Sequence, residues 1–141
     1  MLMKKKNSSH KKSALLVLNF KKINKIRLSY GYSFGEHIVK SVTASLHDFV
    51  DEHHQLFYVS FERLAFYVTN YSGQDDLEKF CDVVLERLIQ HEFMRTIGCY
   101  IGIFEINNFN SRSDIILRNA SVAAENQYDN RMFGRKFYDE V

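Results

Sequence analysis

Leu56-Phe57-Tyr58-Val59-Ser60-Phe61-Glu62-Arg63-Leu64-Ala65-Phe66-Tyr67-Val68 is the stretch on which the fold turns. Its flanks, Leu56–Val59 and Leu64–Val68, are aromatic and β-branched, side chains that suit a pleated, half-buried surface, so both read as strands. About four residues separate them, the length of a hairpin loop.

Downstream, Ser72-Gly73-Gln74-Asp75 carries a cap residue and first-turn acid. The helix it opens places Leu77, Phe80, Cys81, Val84, Leu85 and Leu88 on one apolar face. Ile97, Cys99, Ile101 and Ile103 alternate with Gly98, Tyr100, Gly102 and Phe104, which predicts a central strand. Ser111-Arg112-Ser113-Asp114 opens a last helix with Ile116, Leu117, Ala120, Ala123 and Ala124 facing inward, and Lys136-Phe137-Tyr138 reads as a closing edge strand.

Upstream, Ile38, Val42, Leu46, Phe49 and Val50 form a stripe of helical period that starts near Phe34 or Gly35, with Glu36, Lys40, Asp48 and Asp51 outside. Asn19-Phe20-Lys21-Lys22-Ile23-Asn24 has helical character, with Phe20 and Ile23 on one side. Ser13–Leu18 is a continuous apolar run, typical of a strand covered on both faces. The order is strand, helix, helix, hairpin, helix, strand, helix, short strand. It predicts an α/β (α+β) domain with a central, mainly antiparallel sheet surrounded by helices.

The 141 residues suffice for one domain with a real core, and 45% apolar and 14% aromatic residues exclude a disordered chain. No apolar run approaches the ~20 residues that span a bilayer, and Met1–Lys12 lacks the apolar segment of a signal peptide. A cytoplasmic location is expected. Cys81 and Cys99 then read as buried free thiols in a reducing compartment.

Lys4, Lys5, Lys6, Lys11 and Lys12 give the first twelve residues +5 against a net +2 for the chain, so the remainder is slightly acidic. Residues 1–12 are read as a basic, disordered leader and 13–141 as the domain. Such a leader can touch nucleic acid or anionic lipid, or simply be solvated. The folded part has no basic run with interleaved aromatics, so nucleic acid is not an expected partner.

Five segments resemble, in order, those of the GGDEF domain of diguanylate cyclases. Asn19-Phe20-Lys21-Lys22-Ile23-Asn24 is similar to the family's element after the first strand, and Gly31-Tyr32-Ser33-Phe34-Gly35-Glu36 to the element before its long helix. Ser60-Phe61-Glu62-Arg63-Leu64 occupies the hairpin where Gly-Gly-Asp/Glu-Glu-Phe would stand. Cys99-Tyr100-Ile101-Gly102-Ile103 resembles the late strand and Leu117–Ala124 the final helix. The likeness runs from Ser13 to Tyr138, with an apparent three-residue insertion between Asn24 and Gly31. It implies the βααββαβ, nucleotide-cyclase-like (ferredoxin-like) architecture.

The resemblance also implies a chemistry to test the residues against. The family joins two GTP molecules into cyclic di-GMP by phosphoryl transfer, which rests on positioning and on magnesium held by carboxylates at about 2.1 Å. The ligand position on the first strand falls at Leu16, a second acid position at Leu18, and the signature ligand at Glu62. Glu62 is thus the single carboxylate left for metal. Ser60 and Phe61 replace the paired glycines, with Phe61 expected to fill nucleotide space, and Arg63 reverses the charge of the fourth position. The phosphate-contacting lysine falls at Tyr128, and the Arg-x-x-Asp that binds product falls on Asp51-Glu52-His53-His54.

Asn24 and Glu36 match the pair that reads guanine, a role for which buried, matched polar groups discriminate strongly; both types equally suit a cap and a helix start. His53-His54 lacks the spacing of a helical metal pair and reads as a solvated helix end, and Asp75-Asp76 as a stabilised helix N-terminus. Asn70-Tyr71-Ser72 and Asn119-Ala120-Ser121 fit the glycosylation pattern by accident in a cytosolic chain. The expected function is a catalytically inactive regulatory or dimerisation module in cyclic di-GMP signalling. Its alternatives are an allosteric GTP sensor controlling an attached EAL phosphodiesterase domain and a weakly active cyclase. No cofactor is expected, with magnesium entering only alongside bound GTP. The partners implied are an EAL domain in the same or another chain, a second copy of the chain, and GTP.

Overall fold

The computed structural model describes residues 12–106, 112–127 and 131–139. Residues 1–11 of the lysine-rich leader and Tyr128 thus lie outside the described residues. Strand β1 (Ser13–Phe20) is followed by helices α1 (Ile23–Tyr30) and α2 (Tyr32–Leu46), a 3-10 turn over His47–Phe49, and the hairpin β2 (His54–Ser60) and β3 (Arg63–Thr69). Then come α3 (Gln74–Ile89), the single-turn α4 (Met94–Ile97), β4 (Cys99–Ile106), α5 (Ser113–Glu125) and β5 (Phe133–Phe137). The five strands form one sheet in the order β2-β3-β1-β4-β5. It is antiparallel except for the β4–β5 pair. The mixed, mainly antiparallel architecture is the one the sequence order predicts.

β1 lies at the centre of the sheet and is apolar on both sides. Leu16, Val17 and Leu18 have no exposed surface. One sheet face carries Leu16, Leu18, Leu64, Phe66, Ile101 and Ile103 into a core closed by α1, α2, α3 and α4. The other carries Val17, Ala65 and Phe104 against Ala120 and Ala124 of α5. α5 leaves an apolar groove beside it over β1, β3 and β2, lined by Leu15, Phe57, Val59, Tyr67, Ile116 and Leu117. At Gly102 of β4 a Cβ would run into the carbonyl of Ala120 and the amide of Ala124, so α5 approaches the sheet more closely than any side chain would permit.

Several boundaries differ from those the sequence suggests. Asn19 and Phe20 belong to β1, because Asn19 stays in register with Arg63 and Tyr100. α2 begins at Tyr32, directly after Gly31, whose φ of 97° ends α1 and is accessible to glycine. α2 closes at Leu46, and Phe49 and Val50 fall in the following turn and extended segment. The hairpin loop is Phe61-Glu62 alone, since Ser60 already pairs with Arg63. β4 is buried on both faces from Cys99 to Phe104, and Ile97 belongs to α4, a turn too short to show helical periodicity. β5 starts at Phe133, and Tyr138 follows it, its amide bonded to the Ile103 carbonyl at 2.7 Å.

Candidate functional site

The signature pentapeptide forms the tip of the β2–β3 hairpin. Ser60 ends β2 beside an irregularity in the pairing, Phe61 and Glu62 make the turn, and Arg63 and Leu64 open β3. Among the described residues only Asn70 is a non-glycine with positive φ, so the tip keeps ordinary backbone angles. The tip is anchored to β1 by the Phe20 amide, which donates to the Glu62 carbonyl at 2.9 Å. Leu64 is buried, Phe61 packs half-buried against the core, and the Glu62 and Ser60 side chains are exposed.

Phe61 folds toward the two helices. The Arg27 guanidinium of α1 lies 3.9 Å from the centre of the Phe61 ring and 4.3 Å from that of Tyr32 at the start of α2. Arg27 Nη1 donates to Asn24 Oδ1 at 3.3 Å, while Arg27 Nε is buried with no hydrogen-bond partner. Gly35 makes the packing possible: a Cβ there would stand 2.7 Å from Arg27 Cγ and 3.2 Å from the Phe61 ring. Asn24 and Glu36 are both exposed, Asn24 on the first turn of α1 and Glu36 immediately after Gly35. The structure therefore brings Asn24, Arg27, Tyr32, Gly35 and Phe61 together. The sequence reading did not single out Arg27; its place three residues after Asn24, on the same helix face, was the available signal.

Leu16 and Leu18 are core residues. Leu16 stands opposite Phe66 and Ile103, and Leu18 opposite Leu64 and Ile101. Glu62 lies at the far end of that register, four residues before Phe66. No group of three His, Cys, Asp or Glu side chains that could hold a metal ion occurs among the described residues. Arg63 is turned to the other sheet face and forms an ion pair with Glu125 at the end of α5, while its Nε is buried without a partner. Glu125 is a second residue that only the structure reveals, since 62 positions separate it from Arg63.

The remaining candidates have local roles. Asp51-Glu52-His53-His54 is a turn into β2, not a helix end, because the preceding 3-10 turn stops at Phe49. Asp51 Oδ1 pairs with His54 Nδ1 at 2.8 Å and accepts from the His53 amide at 2.8 Å, which together hold its carboxyl below the usual aspartate range. The His54 ring also packs on Phe80, with centroids 4.4 Å apart. Asp76 accepts from the Ser72 amide at 2.8 Å in the first turn of α3. Cys81 and Cys99 are free and buried, and burial pushes both thiols well above their usual range. Asn119 is buried, which closes it to glycosylation, whereas Asn70 is exposed. No helix is long and apolar enough to cross a membrane among the described residues.

The family model described as "Diguanylate cyclase, GGDEF domain" matches residues 1–132 of the chain. No curated protein sequence matches it significantly. Among solved structures, it is similar to the active GGEEF domain of a diguanylate cyclase from Vibrio cholerae, with TM-score 0.77 and 12% identity over 99% of this chain and 90% of that one. The GGDEF domain of YfiN from Pseudomonas aeruginosa superposes with TM-score 0.80 at 12% identity, covering 99% and 89%. An EAL/GGDEF domain protein from M. capsulatus gives TM-score 0.76 at 18% identity, covering 91% and 85%. At these identities the superpositions speak for the fold.

Proposed function

This chain belongs to the GGDEF domain family of cyclic di-GMP signalling, and from that premise we propose that it is a non-catalytic regulatory or dimerisation module within it. The observation that carries the reading is the burial of Leu16 and Leu18, neither with any exposed surface, at the positions where the family resemblance places acids. Phosphoryl transfer between nucleotides needs magnesium to neutralise developing charge, and magnesium demands several hard oxygen ligands. Glu62 supplies one exposed carboxylate, and two leucines sealed in a core supply nothing. The residues present do not fit a magnesium pair.

Two further features support the reading. Phe61, in place of a glycine, directs its ring to Arg27 across the space between the hairpin tip and the helix pair. Arg63, in place of an acid, is used to tie β3 to α5 through Glu125. Ser60 and Leu64 complete a signature that keeps the hairpin and loses the cradle. The partner this function calls for is an EAL phosphodiesterase domain, by analogy with proteins such as the EAL/GGDEF protein from M. capsulatus. A second copy of the chain is the other candidate, in the cytoplasm where cyclic di-GMP is handled.

A second reading, a guanine-nucleotide sensor, is favoured by Asn24 and Glu36, which remain exposed on the two helices that border the hairpin tip. The deciding experiment is incubation with GTP and magnesium, with cyclic di-GMP read by mass spectrometry. No product is expected; product that disappears in Glu62→Ala would overturn the non-catalytic reading.

A further inference from the structure

We infer that Arg27 is an internal occupant of the slot between α1, α2 and the β2–β3 tip, where its guanidinium takes the place of a guanine base. The inference rests on the guanine-nucleotide reading above and gives that same site a regulation.

The guanidinium is bound as a planar ligand would be. Its carbon lies within 4.3 Å of the centres of two aromatic rings, Phe61 and Tyr32, and one terminal nitrogen donates to the Asn24 side-chain carbonyl. Arginine's planar, weakly hydrated group stacks on aromatic faces in this way. Guanine carries the same donor fork: its N1–H and exocyclic N2–H2 flank one carbon, a cyclic guanidine. A slot that stacks one guanidine and accepts its N–H at an amide oxygen offers the contacts that the other requires. Adenine, without that fork, has no matching donor pair on the corresponding edge.

The occupant is imperfectly satisfied. Arg27 Nε is buried with no partner, a donor removed from water without replacement. Stacking, Asn24 and the packing of the Arg27 stem against Gly35 hold the side chain in place. Such a self-bound group weakens a competing ligand by the fraction of time the slot stands open. Two ring contacts set that weakening at roughly tenfold or more.

The test is calorimetric titration of the whole chain with GDP and, separately, ADP, without magnesium. Arg27→Ala is expected to bind GDP at least roughly tenfold more tightly than the unmodified protein, to gain nothing for ADP, and to release GDP when methylguanidinium is added. Equal GDP affinity in the two proteins, or an equal gain for ADP, would overturn the inference. Arg27→Met retains the stem that packs on Gly35, so the same readouts decide the matter where Arg27→Ala loses its cooperative melt. Cyclic di-GMP made from GTP by the unmodified protein would sink the non-catalytic reading alone. Unchanged GDP binding would sink the Arg27 inference alone.

Discussion

Leu16 and Phe66 face each other across β1 and β3, and neither exposes any surface to solvent. Ile103 lies opposite Leu16 on the other side, so the position resembling a metal ligand is walled by apolar side chains on both neighbouring strands. An aspartate there would bring an unpaired charge into that wall.

Leu16→Asp is therefore expected to destabilise the domain by roughly 3–5 kcal/mol, the scale of an uncompensated buried charge, and to restore no cyclic di-GMP synthesis. Urea unfolding followed by circular dichroism reads the first effect, and a product assay reads the second. A stable, active Leu16→Asp protein would contradict the placement of this residue in the core.

Gly102→Ala should cost about 3 kcal/mol, the upper range of overpacking, although alanine favours strands no less than glycine does. The added methyl meets backbone atoms of Ala120 and Ala124 in α5, which cannot rotate away as a side chain end could. A paired Ala120→Gly change should not restore stability, because the clash is with a carbonyl oxygen rather than a Cβ. Thermal melts of the single and double variants check both statements.

The Asp51–His54 pair makes part of the stability depend on pH. The hydrogen bond with the His54 ring, and to a lesser degree that from the His53 amide, depresses the Asp51 carboxyl in the folded state. A depressed carboxylate contributes fully above its unfolded value of about 4, and that contribution fades as pH falls through the folded value. Asp51→Asn should thus lower the urea midpoint at pH 7, and the gap between variant and parent should narrow as pH falls below about 4. A gap that stays constant with pH would show that Asp51 acts through packing alone.

Cys81 and Cys99 are expected to ignore a thiol reagent at pH 8 in the native protein and to react together once it unfolds. Burial disfavours the thiolate at both sites, and only the thiolate attacks. Labelling followed by intact mass measurement distinguishes this from partial, independent reaction, which would mean that one thiol reaches the surface.

The elements that the sequence discloses are those with a local cause. The stripe Ile38, Val42, Leu46 and the face Leu77, Cys81, Val84, Leu88 repeat with the helical period, and their burial follows. Ser60 to Leu64 marks the hairpin because two β-branched, aromatic segments flank a short polar interval. What escaped was set by partners distant in the chain. Asn19 and Phe20 look helical until β3 and β4 bind them into β1, and α4 is one turn fixed by its neighbours.

The same division holds at the site. The sequence by itself determined that Leu16, Leu18, Phe61 and Arg63 stand where the family resemblance places acids, a glycine and another acid, since chemical identity needs no coordinates. Only the tertiary structure decided what these residues do instead. Phe61 receives the Arg27 guanidinium and Arg63 pairs with Glu125, contacts spanning 34 and 62 positions of chain. Side-chain partners at such separations are fixed by how sheet and helices pack, because local propensity extends over a few residues and packing acts on whatever the fold brings within reach.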